Sequence, residues 1–146
     1  MNTFLLVEFL AIVLTALALV PAMAHVMELP NKLSMSSETY LIVQRVYRGW
    51  SFSGIVVVAA SIATLILLFY ADGDAFAPAL IAFLAIAATQ VVFWVYTFPV
   101  NRITRHWTRA PHDWKRLRDR WELSHAVSAV LNFIAVVSVT IAVVRS

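Results

Sequence analysis

Two pairs of histidine and glutamate lie far apart in this sequence and share the same spacing. His25 is followed three residues later by Glu28, and Glu122 is followed three residues later by His125. Residues three apart lie on one face of a helix, so each pair points in a single direction. Imidazole and carboxylate groups that converge from facing helices form metal sites in helical bundles. The sequence therefore predicts that His25, Glu28, Glu122 and His125 bind a metal ion, with Glu122 and His125 as the catalytic residues.

The donor types leave the identity of the cofactor open. The chain has no cysteine, and nitrogen and oxygen donors suit iron, manganese, zinc or copper(II). Two carboxylates are few for a dinuclear site, so one metal ion is expected. Haem with His25 and His125 as axial ligands is an alternative, as is a site without metal in which His125, backed by Glu122, acts as a base. In a further interpretation both pairs form interfacial ion pairs with nearby arginines, namely Arg48, Arg118 or Arg120.

The chain that carries these residues is too apolar for a soluble domain. Of its 146 residues, 62% are hydrophobic and 13% are charged, and the mean hydropathy is +0.83. Soluble domains have about 45–50% apolar and about 25% charged residues. This composition excludes a cytosolic enzyme, a disulfide-rich secreted module and a disordered linker. The chain is predicted to be an integral membrane protein whose first partner is the lipid bilayer.

Four apolar stretches are long enough to cross about 30 Å of hydrocarbon as helices. They cover residues 3–28, 51–71, 76–98 and 122–144, and together they make one membrane domain of residues 1–146. The stretches show no alternation of apolar and polar residues, which favours helices over barrel strands. The sequence therefore predicts an all-α four-helix membrane bundle.

Two further helices are expected to extend the bundle on the cytoplasmic side. Ser36 or Ser37 is a capping residue for a helix that runs into the second span. Asp113 is a capping residue for a helix that is continuous with the fourth span. Both extensions fall in the basic connections of the chain.

The basic residues also predict an orientation. Of the 11 Lys and Arg residues, all except Arg145 lie in the connections after the first and third spans. Short basic connections stay in the cytoplasm. The chain is therefore predicted to be a multi-pass protein of the inner (cytoplasmic) membrane with both termini external. This topology, with anionic headgroups beside the loops, explains the net charge of +3 without nucleic acid as a partner.

Polar side chains on other helices lie at the same end as the His/Glu pairs. Three share one face of the third span and three precede the second span. They are, in chain order, Gln44, Tyr47, Arg48, Gln90, Trp94 and Asn101. Because a polar group in a bilayer costs several kcal/mol without a partner, we expect these residues to surround one cavity that binds a small hydrophobic substrate.

Two segments of the chain resemble a known family. The segment Phe98-Pro99-Val100-Asn101, followed by Trp114-x-x-Leu117-Arg118-x-Arg120-Trp121-Glu122-x-x-His125, resembles the anthrone-oxygenase-like family of small four-helix membrane proteins. The stretch from His25 to Trp50 resembles a bacterial subgroup of uncharacterised members. Many relatives lack the His-x-x-Glu pair in the first span, so a ligand set from two sides is expected only in this subgroup.

The resemblance implies a membrane oxidoreductase. A few fungal and bacterial members oxidise anthrones to anthraquinones with molecular oxygen, which implies oxygen-dependent chemistry on a hydrophobic substrate. By motif match, the implied site residues are Asn101, Trp121, Glu122 and His125. Non-enzymatic functions are the alternatives: an accessory subunit of a larger membrane complex, or a transporter. The small-residue pairs Ala59/Ala63 and Ala85/Thr89 suggest a homo-oligomer.

Overall fold

The computed structural model describes residues 3–146, apart from the side chain of Ser51, so the first two residues of the predicted domain lie outside the described part. Within it the chain is helical and contains no strand. The α-helices are α1 (Thr3–Leu33), α2 (Ser37–Val43), α3 (Ser53–Tyr70), α4 (Gly73–Val92), α5 (Phe98–Thr104) and α6 (Trp114–Arg145). A π-helical turn, Phe93–Thr97, joins α4 to α5, and 3₁₀ turns cover Gln44–Tyr47 and Trp50–Phe52.

Four helices are long and apolar enough to cross a membrane, which confirms the predicted fold class. They are α1, α3, the continuous helix Gly73–Thr104, and α6. Three of them extend beyond the predicted spans at the end where the His/Glu pairs lie, because α1 continues to Leu33, the third to Thr104, and α6 already begins at Trp114. The predicted continuity of the fourth span with the helix after Asp113 is confirmed.

The four spans pack as a ring in which α1 and α4 each contact both α3 and α6. Alanines fill the centre, and Ala11, Ala60, Ala79 and Ala135 are completely buried. Small side chains let helix backbones approach closely in a membrane, where apolar side chains gain little by leaving the lipid.

The small-residue pairs mostly serve this internal packing. Ala63, Ala85 and Thr89 are buried inside the bundle. They therefore do not form an outward-facing contact surface for a second copy of the chain.

The two ends of the bundle differ in charge. At one end, here called the acidic end, the short Ala71–Asp72 turn joins α3 to α4, and Ser146 Oγ donates a hydrogen bond to the buried Glu8 carboxylate at 2.6 Å. The opposite end, the basic end, carries the connections of residues 34–52 and 105–113. Glu8 thus lies at the end remote from the His/Glu pairs.

The helix in the first basic connection is shorter than predicted. Ser36 caps α2, and its Oγ accepts a hydrogen bond from the Thr39 N–H, as expected. The helix does not run into the second span, because the chain changes to a 3₁₀ turn at Gln44 and then to extended backbone at Arg48. Gly49 has φ +92°, a conformation that glycine adopts without steric cost. The resulting bend folds this connection back over the end of the bundle.

Candidate functional site

Lys32 lies at the centre of the four predicted metal ligands. Its side chain is 1% exposed, and its Nζ is 2.9 Å from Glu28 Oε2 and 3.5 Å from Glu122 Oε1. The same ammonium is 3.1 Å from His25 Nδ1. Lys32 falls on the face of Glu28 and His25 because α1 continues past it to Leu33, with spacings of one and two helical turns. The two sequence pairs therefore meet, and a lysine joins them.

This arrangement does not fit a bound metal ion. Within residues 3–146, no group of three His, Asp or Glu side chains is placed to hold one. The physical reason is that the Lys32 ammonium already supplies the positive charge for both carboxylates, and it donates a hydrogen bond to Nδ1, one of the two ring nitrogens of His25. The predicted metal site with His25, Glu28, Glu122 and His125 as ligands is therefore not seen among the described residues, where the cation beside both carboxylates is the Lys32 side chain.

The two imidazoles are stacked on each other. The ring centroids of His25 and His125 lie 4.1 Å apart with an interplanar angle of 24°. A haem held by both residues as axial ligands would have to lie between the rings, and stacked rings in van der Waals contact leave no room for a porphyrin. The arrangement does not fit the haem alternative.

Glu122 is buried behind the imidazoles and is held by a phenol. Tyr40 is fully buried, and its hydroxyl donates a 2.8 Å hydrogen bond to Glu122 Oε1. Burial raises the pKa of the Tyr40 phenol far above its ordinary range, and the neighbouring Glu122 carboxylate raises it further. Tyr40 therefore keeps its proton and acts as a permanent donor. Glu28 accepts a similar hydrogen bond from the Tyr47 hydroxyl.

Among residues 3–146, no ion pair joins Arg48, Arg118 or Arg120 to the His/Glu pairs. Arg118 donates to the Leu33 carbonyl oxygen at 3.0 Å and to its neighbour Asp119. Arg120 donates to the Val95 carbonyl oxygen at 2.6 Å. The carboxylates are indeed paired with a cation, as the interfacial interpretation required, but that cation is Lys32 from the same helix as Glu28.

A cavity of about 760 Å³ lies between the helices, next to the imidazole pair. All six predicted substrate-binding residues line it: Gln44, Tyr47, Arg48, Gln90, Trp94 and Asn101. His25 and His125 line it as well, whereas Glu28 and Glu122 do not. The structure thus divides the predicted residues into imidazoles that face the cavity and carboxylates that lie behind them around Lys32.

The lining is aromatic and carries no acidic group among the described residues. Trp121 packs edge-on against both imidazoles, with ring centroids 4.9 Å from His25 and 4.2 Å from His125. Asn101 Oδ1 accepts a 2.9 Å hydrogen bond from Trp121 Nε1, which fixes the indole in this position. Asn101 therefore orients an aromatic wall in addition to lining the cavity.

Some polar atoms of lining residues are buried and have no hydrogen-bond partner within the described part of the chain. They are His125 Nε2, Asn132 Oδ1 and Gln44 Nε2, together with the Trp107 indole nitrogen. A buried polar group without a partner costs free energy.

Sequence reasoning missed Lys32 because it was counted with the charges of a loop. The signal that could have identified it is its spacing: Lys32 follows Glu28 by four residues and His25 by seven, which puts all three on one helical face.

No protein-family model, curated protein or solved structure matches this chain in the three comparisons made. The fold and the site by themselves define a helical membrane protein with an aromatic cavity that ends on a buried imidazole pair.

Proposed function

We propose that this chain is a membrane-embedded oxidoreductase that uses molecular oxygen on a small hydrophobic aromatic substrate, without a metal ion. The observation that carries the proposal is the stacked His25–His125 pair at the wall of a mostly apolar cavity inside the bundle. A cavity with aromatic walls and a few polar groups is typical of a small-molecule site. The likeness of Trp114–His125 to the anthrone-oxygenase-like motif supports the same reaction class.

The hydrogen bonds assign different tasks to the two imidazoles. An ammonium can only donate, so His25 Nδ1 accepts from Lys32 and the ring proton of neutral His25 lies on Nε2. His25 then serves as a donor to a carbonyl oxygen of the substrate, which gains negative charge in the reaction. His125 also lines the cavity, and we assign it the role of the base that takes a proton from an acidic C–H next to an aromatic ring.

The proposed reaction needs no further reactant. His125 removes one proton from the CH₂ group of an anthrone-type substrate, and the resulting enolate is held by the His25 donor. Molecular oxygen then accepts electrons from the enolate. Overall the CH₂ group becomes C=O, one oxygen atom enters the product, and the other leaves as water with both hydrogens.

Oxygen uptake by the protein in lipid vesicles tests this proposal, with anthrone as the substrate. We expect one O₂ consumed for each anthraquinone formed, measured by an oxygen electrode and by product absorbance. His125→Ala should lower the rate by about 10²–10⁴-fold, the usual contribution of a general base. Vesicles that oxidise anthrone no faster than protein-free vesicles would contradict the proposal.

His112→Ala is the matched control. His112 is exposed in the second basic connection and does not line the cavity. The variant removes the same side chain and should leave the rate unchanged.

A further inference from the structure

We propose that the ligand enters the cavity sideways from the bilayer, through an opening between α3 and α4. The identity of the ligand rests on the proposed function, whereas the route is a property of the cavity itself. The opening, here called the lateral portal, is bounded by Gly54 and Val58 of α3 and by Phe93 and Trp94 of the π-helical turn.

The portal residues face both the cavity and the outside of the bundle. All four line the cavity, yet Val58 is 50% and Trp94 is 58% exposed, and Phe93 and Gly54 are also exposed. A residue with both properties lies at the rim of an opening. The cavity therefore communicates with the surroundings of α3 and α4 at this point.

The rim lies at the depth of the hydrocarbon. Val58 is 12 residues from Tyr70, the last residue of α3 at the acidic end, a distance of about 18 Å along a helix at 1.5 Å per residue. Trp94 is 21 residues from Gly73, the first residue of α4, or about 31 Å. With a hydrocarbon core of about 30 Å, the Val58 side of the portal lies within the leaflet on the basic side, and Trp94 lies at the boundary of that leaflet. A lipid-soluble aromatic compound concentrates in that layer.

Packed side chains cover part of the basic end, beside a polar rim at Arg48, Gly49 and His106, which line the cavity and are exposed. Tyr40, Val100, Trp107, Leu117 and Trp121 form a buried cluster there. The Trp107 and Tyr40 rings contact edge-on with centroids 4.9 Å apart, and Trp107 and Trp121 with centroids 6.0 Å apart. A ligand from water would pass the polar rim beside this cluster, whereas the lateral portal is mostly apolar and suits a lipid-soluble aromatic compound.

Gly54 keeps the portal open. A Cβ placed there would meet no atom within 4 Å, so a larger side chain fits without a clash and would extend into the opening. Gly54 lies in α3 near its first turn. Leucine is a better helix former than glycine, so Gly54→Leu should narrow the portal without destabilising the helix.

Cysteine labelling tests the route directly, because the chain has no cysteine. Ser128→Cys places one thiol on the cavity wall. In lipid vesicles, we expect lipid-soluble N-phenylmaleimide to label this variant, and a charged, water-soluble methanethiosulfonate reagent to label it far more slowly. Adding Gly54→Leu should slow the maleimide reaction by roughly tenfold, equivalent to about 1.4 kcal/mol of barrier. Val58→Trp, a second change at the rim, should slow it as well.

Ala77→Leu, added to Ser128→Cys, is the matched control. Ala77 is exposed on α4 near the acidic end and does not line the cavity. The variant therefore adds a leucine side chain at a position away from the portal. The lateral route is overturned if both rim variants label at the rate of this control, if the charged reagent labels as fast as the maleimide, or if neither reagent reaches the thiol. None of these outcomes depends on oxygen uptake, so the route and the proposed reaction fail separately.

Discussion

At the scale of single residues, Lys32 decides what the His/Glu pairs can do. A buried carboxylate or ammonium is stable only when paired and hydrogen-bonded. Lys32 meets this requirement for Glu28 and Glu122 at 2.9 Å and 3.5 Å, and it also directs the proton of His25. A metal ion and this ammonium would compete for the same two carboxylates and for His25.

Removing the ammonium should turn the cluster into a metal site. In Lys32→Ala, Glu28, Glu122 and His25 lose their shared cation, which should cost about 3–5 kcal/mol of stability. We expect this variant to bind Zn²⁺ and to regain thermal stability with it, measured by elemental analysis and thermal unfolding in detergent. The wild-type protein should bind none.

Lys115→Ala is the control for that experiment, because Lys115 is an exposed lysine of α6. It should change neither zinc content nor stability. If the wild-type protein instead binds zinc stoichiometrically and loses it in His25→Ala, the assignment of Lys32 as the cation of the site is wrong.

At the scale of elements, the irregular backbone is concentrated around the cavity. The π-helical turn Phe93–Thr97 interrupts the third span where Phe93, Trp94 and Thr97 line the cavity. Gly49 bends the first basic connection beside it. In the second basic connection, the backbone angle φ of Arg105, His106 and Trp107 is 50–58°. This left-handed conformation costs residues with a Cβ about 1–2 kcal/mol each. The burial of Trp107 in the aromatic cluster offsets that cost.

The left-handed turn predicts an unusual effect of glycine. Arg105→Gly should stabilise the protein by up to about 1 kcal/mol, because glycine adopts positive φ without the Cβ penalty. Arg102→Gly, at an exposed position of α5, should instead destabilise it by about 1 kcal/mol, as glycine does inside a helix. Thermal unfolding in detergent measures both. Equal losses of stability in the two variants would show that the turn is not left-handed in solution.

At the scale of the whole molecule, the charge distribution places the site relative to the membrane. The two connections at the basic end and the helix ends beside them carry all the Lys and Arg residues except Arg145, whereas Asp72 and Asp74 lie at the acidic end. By the positive-inside rule, we propose that the basic end faces the cytoplasm and that both termini are external. The imidazole pair and the portal then belong to the cytoplasmic leaflet.

Single cysteines in the cysteine-free chain test this orientation. Ser34→Cys lies at the basic end and Asp74→Cys at the acidic end, both at exposed positions. In intact cells, a membrane-impermeant thiol reagent should label Asp74→Cys at once and Ser34→Cys only after lysis. The reverse pattern would contradict the proposed orientation.

Much of this protein could be predicted from local patterns. Apolar length determines where helices cross a bilayer, because every backbone group must be hydrogen-bonded there. Helical spacing likewise identified the residues that line the cavity, since Gln90, Trp94 and Asn101 lie on one face of one helix. The burial of Ala63, Ala85 and Thr89 could not be predicted, because sequence does not show which side of a helix faces its neighbours.

Local patterns in the chain were enough to predict the four spans, the end at which the polar residues gather and six of the residues that line the cavity. Tertiary packing was needed to show that His25 and His125 stack, that Lys32 lies between two carboxylates from different helices, and that Tyr40 holds Glu122. The two kinds of information differ in the distance along the chain over which they act. Spacing along a helix is local, whereas the rotation of α1 against α6, which puts an ammonium where a metal was expected, results from packing along the whole length of both helices.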